Sequence, residues 1–134
     1  RNLEHYGNPE KILNDVEKQI RRRILLQTKT LILTPRYLVE LSDDICAIIP
    51  LPEVLWIYDH AAMRRTIKGR QLSYTIHVVT MKGEEYTLTG KSHREVSAIY
   101  HELNTRYPNF FFGYSKEHQE MVQYVLHEMK NEKT

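Results

Sequence analysis

The sequence predicts a single α+β domain, in which an antiparallel sheet of about six strands is closed by a helix and a further helix lies at each end. Two observations carry this prediction. Short runs rich in branched and aromatic residues fill the middle of the chain, each ended by a turn signal. A helix with its own capping signal follows the last run. Since short turns join neighbouring runs, the sheet is expected to be antiparallel.

The first predicted element is a helix over residues 9–23. Asn8-Pro9-Glu10 is a start signal, with Asn at the N-cap, Pro at the first helical position and an acid in the first turn. Arg21-Arg22-Arg23 lies in the last turn, where cations complement the helix dipole. One face carries the apolar residues that recur at helical spacing: Ile12, Leu13, Val16, Ile20 and Ile24.

The predicted strands lie within residues 24–89. Pro35-Arg36 and Lys82-Gly83 each separate two runs as the turn of a hairpin. Residues 61–71, with Gly69, are predicted to form a polar and basic turn. The strand-like runs themselves are residues 30–34, 37–41, 45–49, 54–60, 72–80 and 85–89.

Residues 54–60 form the run richest in branched and aromatic side chains. Alternation places Trp56 and Tyr58 on one face of this strand and Leu55 and Ile57 on the other. Apolar side chains on both faces indicate a strand covered on both sides, or one that offers a face to a partner. Packing within the domain is the favoured alternative.

The helix after the strands is predicted over residues 92–107. Ser92 and Glu95 form a capping box, and Pro108 ends the helix. We expect the first four residues of its apolar stripe to be buried against the sheet. The stripe consists of Val96, Ile99, Tyr100, Leu103 and Tyr107.

A last helix is predicted over residues 115–130, with Ser115 as its cap. Three consecutive phenylalanines precede it, and no single strand or helix face can bury all of them: Phe110, Phe111 and Phe112. We expect at least two of them to pack under the last helix, against Val122, Val125 and Leu126. The remaining phenylalanine is then the candidate contact for a partner.

Composition and charge describe an ordinary domain of 134 residues, with 41% apolar and 27% charged residues. The net charge of +2 does not favour a nucleic-acid partner, and none is expected. The one cysteine, Cys46, excludes an internal disulfide, fits a reducing compartment and is predicted to be buried. No apolar run is long enough to span a membrane. Because the sequence begins at Arg1 and not at Met, we expect a fragment or a processed product.

No catalytic motif is complete in the sequence. Thr89-Gly90-Lys91-Ser92 resembles the end of a phosphate-binding P-loop, but the required glycine five residues before Gly90 is Glu85. A turn into a capped helix explains these residues better. The paired acids Asp43-Asp44 and Glu84-Glu85 lie in or beside turns, and neighbours on a strand point to opposite faces, so neither pair is a natural dyad. No Ser or Cys lies in a nucleophile-elbow motif, and we predict no catalytic residue.

The histidines show no metal-ligand spacing, and neither a metal site nor a cofactor is predicted. His101-Glu102 and His127-Glu128 each begin a zinc-hydrolase motif, but the second His should lie four residues after the first. Those positions are Thr105 and Asn131. The other histidines are scattered along the chain at positions His5, His60, His77, His93 and His118.

Two clusters of basic residues stand out, and the first is the segment Lys18 to Arg23. The second lies in residues 61–71, which contain no acid. A basic segment between strands is a candidate site for anions or for an anionic membrane, although a solvated turn is the commoner outcome. The residues of this candidate site are Arg64, Arg65, Lys68 and Arg70.

Several motifs together resemble the bacterial pleckstrin-homology-like domains, and more closely an uncharacterised family of such domains from Gram-positive bacteria. The motifs that carry the resemblance are four segments of the chain: Ile49 to Tyr58, Asn8 to Glu10, Leu33 to Leu38 and Gly113 to Ser115. The resemblance covers nearly the whole chain. It implies a strongly bent antiparallel sheet, a partial barrel of about six or seven strands, plugged by the helix from Ser92.

The resemblance also implies a place on the cytoplasmic side of a membrane, tethered by a segment upstream of Arg1. The leading and trailing helices are additions to a minimal domain of this kind, and they are expected to cover surfaces that bind elsewhere. The phosphoinositide-binding loop of the eukaryotic relatives does not carry over residue by residue.

Three functional hypotheses follow. The first is a non-enzymatic interaction or scaffold domain, the cytosolic part of a bacterial membrane-associated protein, with a protein partner docked on a sheet edge or helix groove. The second is anionic-membrane binding through the basic segment. The third is a small-molecule-binding enzyme with a pocket lined by Trp56, Tyr74 and His77. No oligomeric state follows from the sequence.

Overall fold

A computed structural model of the chain describes residues 6–41 and 46–132, which form an α+β arrangement of three helices and two sheets. The helices are α1 (Pro9–Arg22), α2 (His93–Arg106) and α3 (Lys116–Glu132). The strands are β1 (Leu26–Gln27), β2 (Leu31–Leu33), β3 (Tyr37–Leu41), β4 (Cys46–Pro50), β5 (Val54–Thr66), β6 (Gly69–Thr80), β7 (Glu85–Lys91) and β8 (Phe111–Phe112). Four sequence predictions lie outside this description: those for His5, Asp43-Asp44, the start of a strand at Ile45, and the side chain of Cys46.

The first sheet has the order β1-β2-β3-β4 and the second the order β7-β6-β5-β8, and the described strands do not close into a barrel. The predicted hairpins around Pro35-Arg36 and Lys82-Gly83 are confirmed. The expectation of a wholly antiparallel sheet is wrong, because β8 pairs with β5 in parallel, Trp56 opposite Phe111. A parallel pair needs a crossover, and the helix α2 lies in the connection between β5 and β8.

The main core lies between the two sheets and is completed by α2. Val96, Ile99 and Leu103 on α2 are buried in it, as predicted. Tyr100 is half-buried instead, and its hydroxyl donates a hydrogen bond to Asp59. The predicted capping box at the start of α2 is confirmed. The strand residues of this core are Leu31, Leu33, Leu38, Ile49, Val54, Ile57, Ile76, Val78 and Leu88.

Helix α1 covers the outer face of the first sheet. Asn8 caps it by accepting hydrogen bonds from the backbone N–H groups of Glu10 and Lys11. Val16 is buried in a second cluster, whose strand residues are Ile32, Tyr37, Val39 and Ile48. Ile24 does not continue the stripe, because the helix ends at Arg22, and its side chain is exposed.

Helix α3 covers the outer face of the second sheet. Val122 packs with Trp56 and Val79, and the indole Nε1 of Trp56 donates a hydrogen bond to the Gly113 carbonyl at 2.9 Å. Leu55 lies on this face too, against the predicted alternation, because a β-bulge between Val54 and Trp56 inserts an extra residue. Strand β5 is therefore covered on both faces, as favoured from the sequence.

The prediction that two phenylalanines pack under α3 is wrong. Phe111 packs in the cluster beneath α3, whereas Phe110 and Phe112 pack against the main core. The reason is the short strand β8, in which neighbouring side chains point to opposite faces. All three rings are half-buried, so none of them is exposed as the sequence analysis expected for a partner contact.

Residues 60–72, called the arm below, form a two-stranded extension of the β5–β6 hairpin. The predicted turn over residues 61–71 is wrong, since only Ile67-Lys68 forms the turn and strand pairing runs from Thr66↔Gly69 inward. Strand β7 pairs with β6 only as far as Tyr74, so none of the strands described in the structure accompanies the arm as a third strand. Its side chains are exposed on both faces except for the half-buried Thr66, and this exposure explains the absence of an alternating strand pattern.

Candidate functional site

The structure brings the four predicted basic residues together on the arm. Arg64 and Arg65 lie on β5, Lys68 in the turn, and Arg70 on β6. The register places Arg65 directly opposite Arg70. Gly69, with φ +112°, adopts the backbone conformation that this tight turn requires.

The charges of the arm are not compensated within it. Like charges directly opposite each other on paired strands destabilise a sheet, as with Arg65 and Arg70. Residues 61–71 contain no acid, and neither ion pair found among the described residues involves the arm. An anionic surface would relieve this repulsion, so the charge pattern favours an anionic partner.

The arm also carries three exposed apolar side chains, among them the most exposed one of the described chain. Ile67 in the turn is 106% exposed, and Met63 and Leu72 are 65% and 53% exposed. Met63 and Leu72 lie opposite each other, on the same face as Arg65 and Arg70. Apolar side chains beside cations are typical of surfaces that enter a lipid headgroup region. The sequence showed the cations, but not this apolar surface. Met63 and Ile67 lie in the predicted turn, and Leu72 was assigned to a strand without any sign that it is exposed.

A second candidate site is a groove of about 570 Å³ between the two sheets. Within the described sheets, β4 and β7 are edge strands that pair with one neighbour each. Every residue of β7, from Glu85 to Lys91, lines the groove, whereas β4 contributes only Ala47. The other lining residues are Lys29, Thr30, Glu40 and Leu41.

An ion pair forms part of the groove wall. Lys91 Nζ donates to Glu40 Oε1 at 2.8 Å, and the two side chains are only 0% and 9% exposed. Glu40 Oε2 is buried and has no hydrogen-bond partner among the described residues. The partner of Lys91 is therefore Glu40, a contact that the likeness of residues 89–92 to the end of a P-loop did not predict. The one signal in the sequence is Glu40 itself, an acid within the apolar run Tyr37–Leu41.

Glu95 lies beside one end of the groove and forms hydrogen bonds to residues of two different parts of the chain. Its Oε2 accepts hydrogen bonds from the hydroxyls of Thr28 and Thr30, both at 2.6 Å, and its Oε1 accepts from the Ser92 backbone N–H at 2.9 Å. Burial alone would raise the pKa of Glu95, but these hydrogen bonds outweigh it and hold the pKa below its ordinary value. The capping carboxylate therefore also ties α2 to the β1–β2 loop.

The pocket proposed for an enzyme is not formed. Tyr74 packs against the main core, whereas Trp56 and His77 lie on the outer face of the second sheet. There the Tyr58 ring contacts both, at centroid distances of 4.3 Å from Trp56 and 4.6 Å from His77. Tyr74 and His77 lie three positions apart on the same strand. Because side chains alternate between the two faces of a strand, these two point to opposite faces of the sheet.

Two of the histidines that the structure describes, His60 and His77, lie next to each other. His77 Nε2 lies 3.1 Å from His60 Nδ1. Burial lowers the pKa of His77, and the neighbouring His60 lowers it further. Within residues 6–41 and 46–132, no group of three or more His, Cys, Asp or Glu side chains could hold a metal ion.

The chain belongs to the family described as "Domain of unknown function (DUF6709)", which matches residues 11–122. No curated protein and no solved structure shows significant similarity to it. The matched residues run from the first turn of α1 to Val122 on α3, so both outer helices belong to the family's domain. None of the helices described in the structure is long and apolar enough to cross a membrane.

Proposed function

We propose that this chain is a non-enzymatic interaction domain of the pleckstrin-homology-like type. Seven strands in two sheets followed by α2, which packs between them, agree with the architecture that the resemblance implies. The outer faces of both sheets are covered by α1 and α3. The groove along β7 is the feature that remains for a partner.

The proposed partner is a protein segment in the extended conformation that adds a strand to β7. An edge strand offers a row of backbone N–H and C=O groups to an incoming strand. The residues of β7 line the groove, so a strand added to its edge would lie in that groove. We place the domain on the cytoplasmic face of a bacterial membrane, as part of a membrane-associated protein, on the strength of the resemblance and of the basic arm.

Strand addition is tested with N-methylated peptides. Twelve-residue peptides are selected for binding to the full chain by display, and their Kd values are measured by fluorescence polarisation. Methylating alternate backbone nitrogens of a bound peptide removes either the donors that face β7 or those that face away. We expect one methylation pattern to weaken binding by about 10-fold or more and its complement to have little effect.

Two results would contradict strand addition to β7. One is equal sensitivity to both methylation patterns. The other concerns the position of the peptide. Thr89→Arg places a long side chain in the groove, whereas Ser97→Arg adds the same charge to the exposed surface of α2. If the two variants bind the peptide equally well, the segment does not dock along β7.

The arm supports a second function, attachment to an anionic membrane surface. Each basic residue near such a surface contributes about 1 kcal/mol, so four give useful and salt-sensitive binding. The exposed Ile67 at the tip adds an apolar side chain that can enter the interface. This function is compatible with the first, because the arm extends beyond the end of β7.

Vesicle co-sedimentation tests the membrane hypothesis with variants matched for net charge. The arm variant replaces four cations by Gln: Arg64, Arg65, Lys68 and Arg70. The control variant replaces four exposed cations of α1 by Gln: Lys11, Lys18, Arg21 and Arg22. We expect vesicles with anionic lipid to bind the unmodified chain and the control at low salt, but not the arm variant. Equal loss in both variants would show that only net charge matters, and no binding by the unmodified chain would exclude the function.

A further inference from the structure

We propose that the arm lies on an anionic lipid surface with only one of its two faces, called the docking face below, which carries Met63, Arg65, Arg70 and Leu72. The opposite face, with Arg64, stays in water. This inference rests on the proposed membrane function. It adds the orientation of the bound arm and the side chains that enter the lipid, which the number of cations alone does not define.

The docking face combines large apolar side chains with paired cations. Met63 lies opposite Leu72, and Arg65 lies opposite Arg70. The two pairs are two residues apart along the strands, a distance of about 7 Å. At a lipid surface the apolar pair can enter the acyl boundary, while the guanidinium groups, at the ends of long apolar stems, reach the phosphates. The exposed Ile67 at the tip adds a third apolar side chain.

The opposite face of the arm lacks both features. Its cross-strand pairs are Ala62 with Ser73 and Arg64 with Gln71. Arg64 is therefore a single cation among small or uncharged side chains. A bound anion relieves no repulsion between opposed cations there, whereas on the docking face it relieves the repulsion within the arginine pair. A cation is thus expected to contribute more to binding from the docking face than from the opposite face.

The part of the domain next to the docking face is positive as well. Tyr74 lies on the same face at the base of the arm, and its ring centroid is 5.8 Å from that of His93 at the start of α2. His93 and Arg94 are exposed, and the N-terminal end of a helix dipole attracts anions. Asp59 and Glu95 lie in this region too, but both carboxylates accept hydrogen bonds from hydroxyl groups of the domain.

Neighbouring label positions test the orientation in the full chain. Its one cysteine is removed by Cys46→Ala, and a single new one is introduced by Met63→Cys or by Ala62→Cys and labelled with an environment-sensitive nitrobenzoxadiazole dye. Neither exchange alters the charge of the arm. With phosphatidylserine-containing vesicles, we expect the dye at position 63 to shift its emission to shorter wavelength and to be quenched by nitroxide on the acyl chains. The dye at position 62 should change little. Leu72→Cys and Gln71→Cys repeat the comparison on β6.

Two charge-matched variants give a second test, which needs no label. Arg65→Gln and Arg64→Gln remove the same charge from neighbouring positions of the arm. In vesicle co-sedimentation at low salt, we expect Arg65→Gln to weaken binding about 5-fold and Arg64→Gln to weaken it less than about 2-fold. Both side chains are exposed, so both variants should keep the melting temperature of the unmodified chain.

The outcomes separate the orientation from the membrane function. If vesicles bind the chain but the dyes at positions 62 and 63 respond alike, or the two Gln variants bind equally well, the orientation is wrong and membrane attachment stands. If the dye at position 63 responds as strongly to a single-stranded oligonucleotide as to vesicles, the docking face is not specific for lipid and the inference fails. If the unmodified chain does not bind anionic vesicles, both the inference and the membrane function fail.

Discussion

Glu95 joins three parts of the chain through one carboxylate, and its effect on stability should depend on pH. Its pKa in the folded state lies below 4.5, the ordinary value that the carboxyl has in the unfolded chain. The unfolded chain therefore takes up a proton more readily than the folded one as the pH falls. The stabilisation by the ionised carboxylate is complete above the unfolded pKa and is lost as the pH falls through the lower folded pKa.

We therefore expect Glu95→Gln to destabilise the domain at neutral pH, with a smaller difference from the unmodified chain below about pH 4. Urea denaturation of both proteins at a series of pH values measures this difference. Ser92→Ala serves as the comparison, since it removes the hydroxyl cap at a cost of about 1 kcal/mol but leaves the bonds from Thr28 and Thr30. A difference for Glu95→Gln that stays constant into acid would show that the carboxylate contributes no charge-dependent stabilisation.

Leu103 tests whether α2 completes the core. Its side chain is fully buried between the sheets, so Leu103→Ala should destabilise the domain by about 2–5 kcal/mol in chemical denaturation. Asn104→Ala, at the next and exposed position of the same helix, is the control and should change stability by less than about 0.5 kcal/mol. A loss below about 1 kcal/mol for Leu103→Ala would mean that α2 does not plug the core.

At the scale of elements, the sequence predicted those features that depend on near neighbours. The capping box at Ser92 and the Asn8 cap involve residues two or three positions apart, and both are confirmed. The Glu40–Lys91 pair could not be found in this way, because its members are separated by 51 positions and lie on different sheets. The arm was missed for another reason: its strands are exposed on both faces and so have no alternating pattern.

The bulge in β5 shows a further limit of sequence patterns. Strict alternation assigned Leu55 to the face of Ile57, and one extra residue at the bulge moved it to the face of Trp56. Nothing in the sequence marks that position, since every side chain from Val54 to Tyr58 is apolar or aromatic. For a strand covered on both sides, the sequence therefore indicates that the strand is buried, but not which side chain lies on which face.

The stability of the arm can be separated from its binding with two single substitutions. Arg65→Glu places an acid opposite Arg70, which should stabilise the arm by about 0.2–1 kcal/mol, whereas Arg64→Glu lies opposite Gln71 and gains no such partner. Both change the charge equally, and both should weaken binding to anionic vesicles. Hydrogen exchange of the arm amides should slow only in Arg65→Glu. Slowing in neither variant, or in both, would show that the Arg65–Arg70 repulsion does not govern the arm.

At the scale of the whole molecule, each sheet has one face in the common core and the other beneath a helix. Helix α1 contributes Val16 to the cluster on the first sheet, and α3 contributes Val122 to the cluster on the second. The family match spans both of these residues. The two outer helices are therefore structural parts of the domain, and α3 in particular should be needed to keep an apolar sheet face away from water.

Deletion of residues 115–134 tests this role of α3. It uncovers the apolar face formed by Leu55, Trp56, Val79 and Phe111. Contiguous apolar patches of this kind are rare on soluble monomers, so the truncated chain should self-associate in light scattering and melt at a lower temperature. Emission from the single tryptophan, which is 5% exposed in the intact domain, should shift to longer wavelength in dilute samples.

Deletion of residues 131–134 alone is the control, because it shortens the end of α3 without removing a member of that cluster, and it should leave all three measurements unchanged. The lower melting temperature and the tryptophan shift are expected even where the truncated chain is too dilute to associate, since both follow from the loss of Val122, Val125 and Leu126 over the Trp56 ring. A truncated chain that stays monomeric and keeps the melting temperature of the intact domain would show that α3 is an appendage and that the outer face of the second sheet is stable in water.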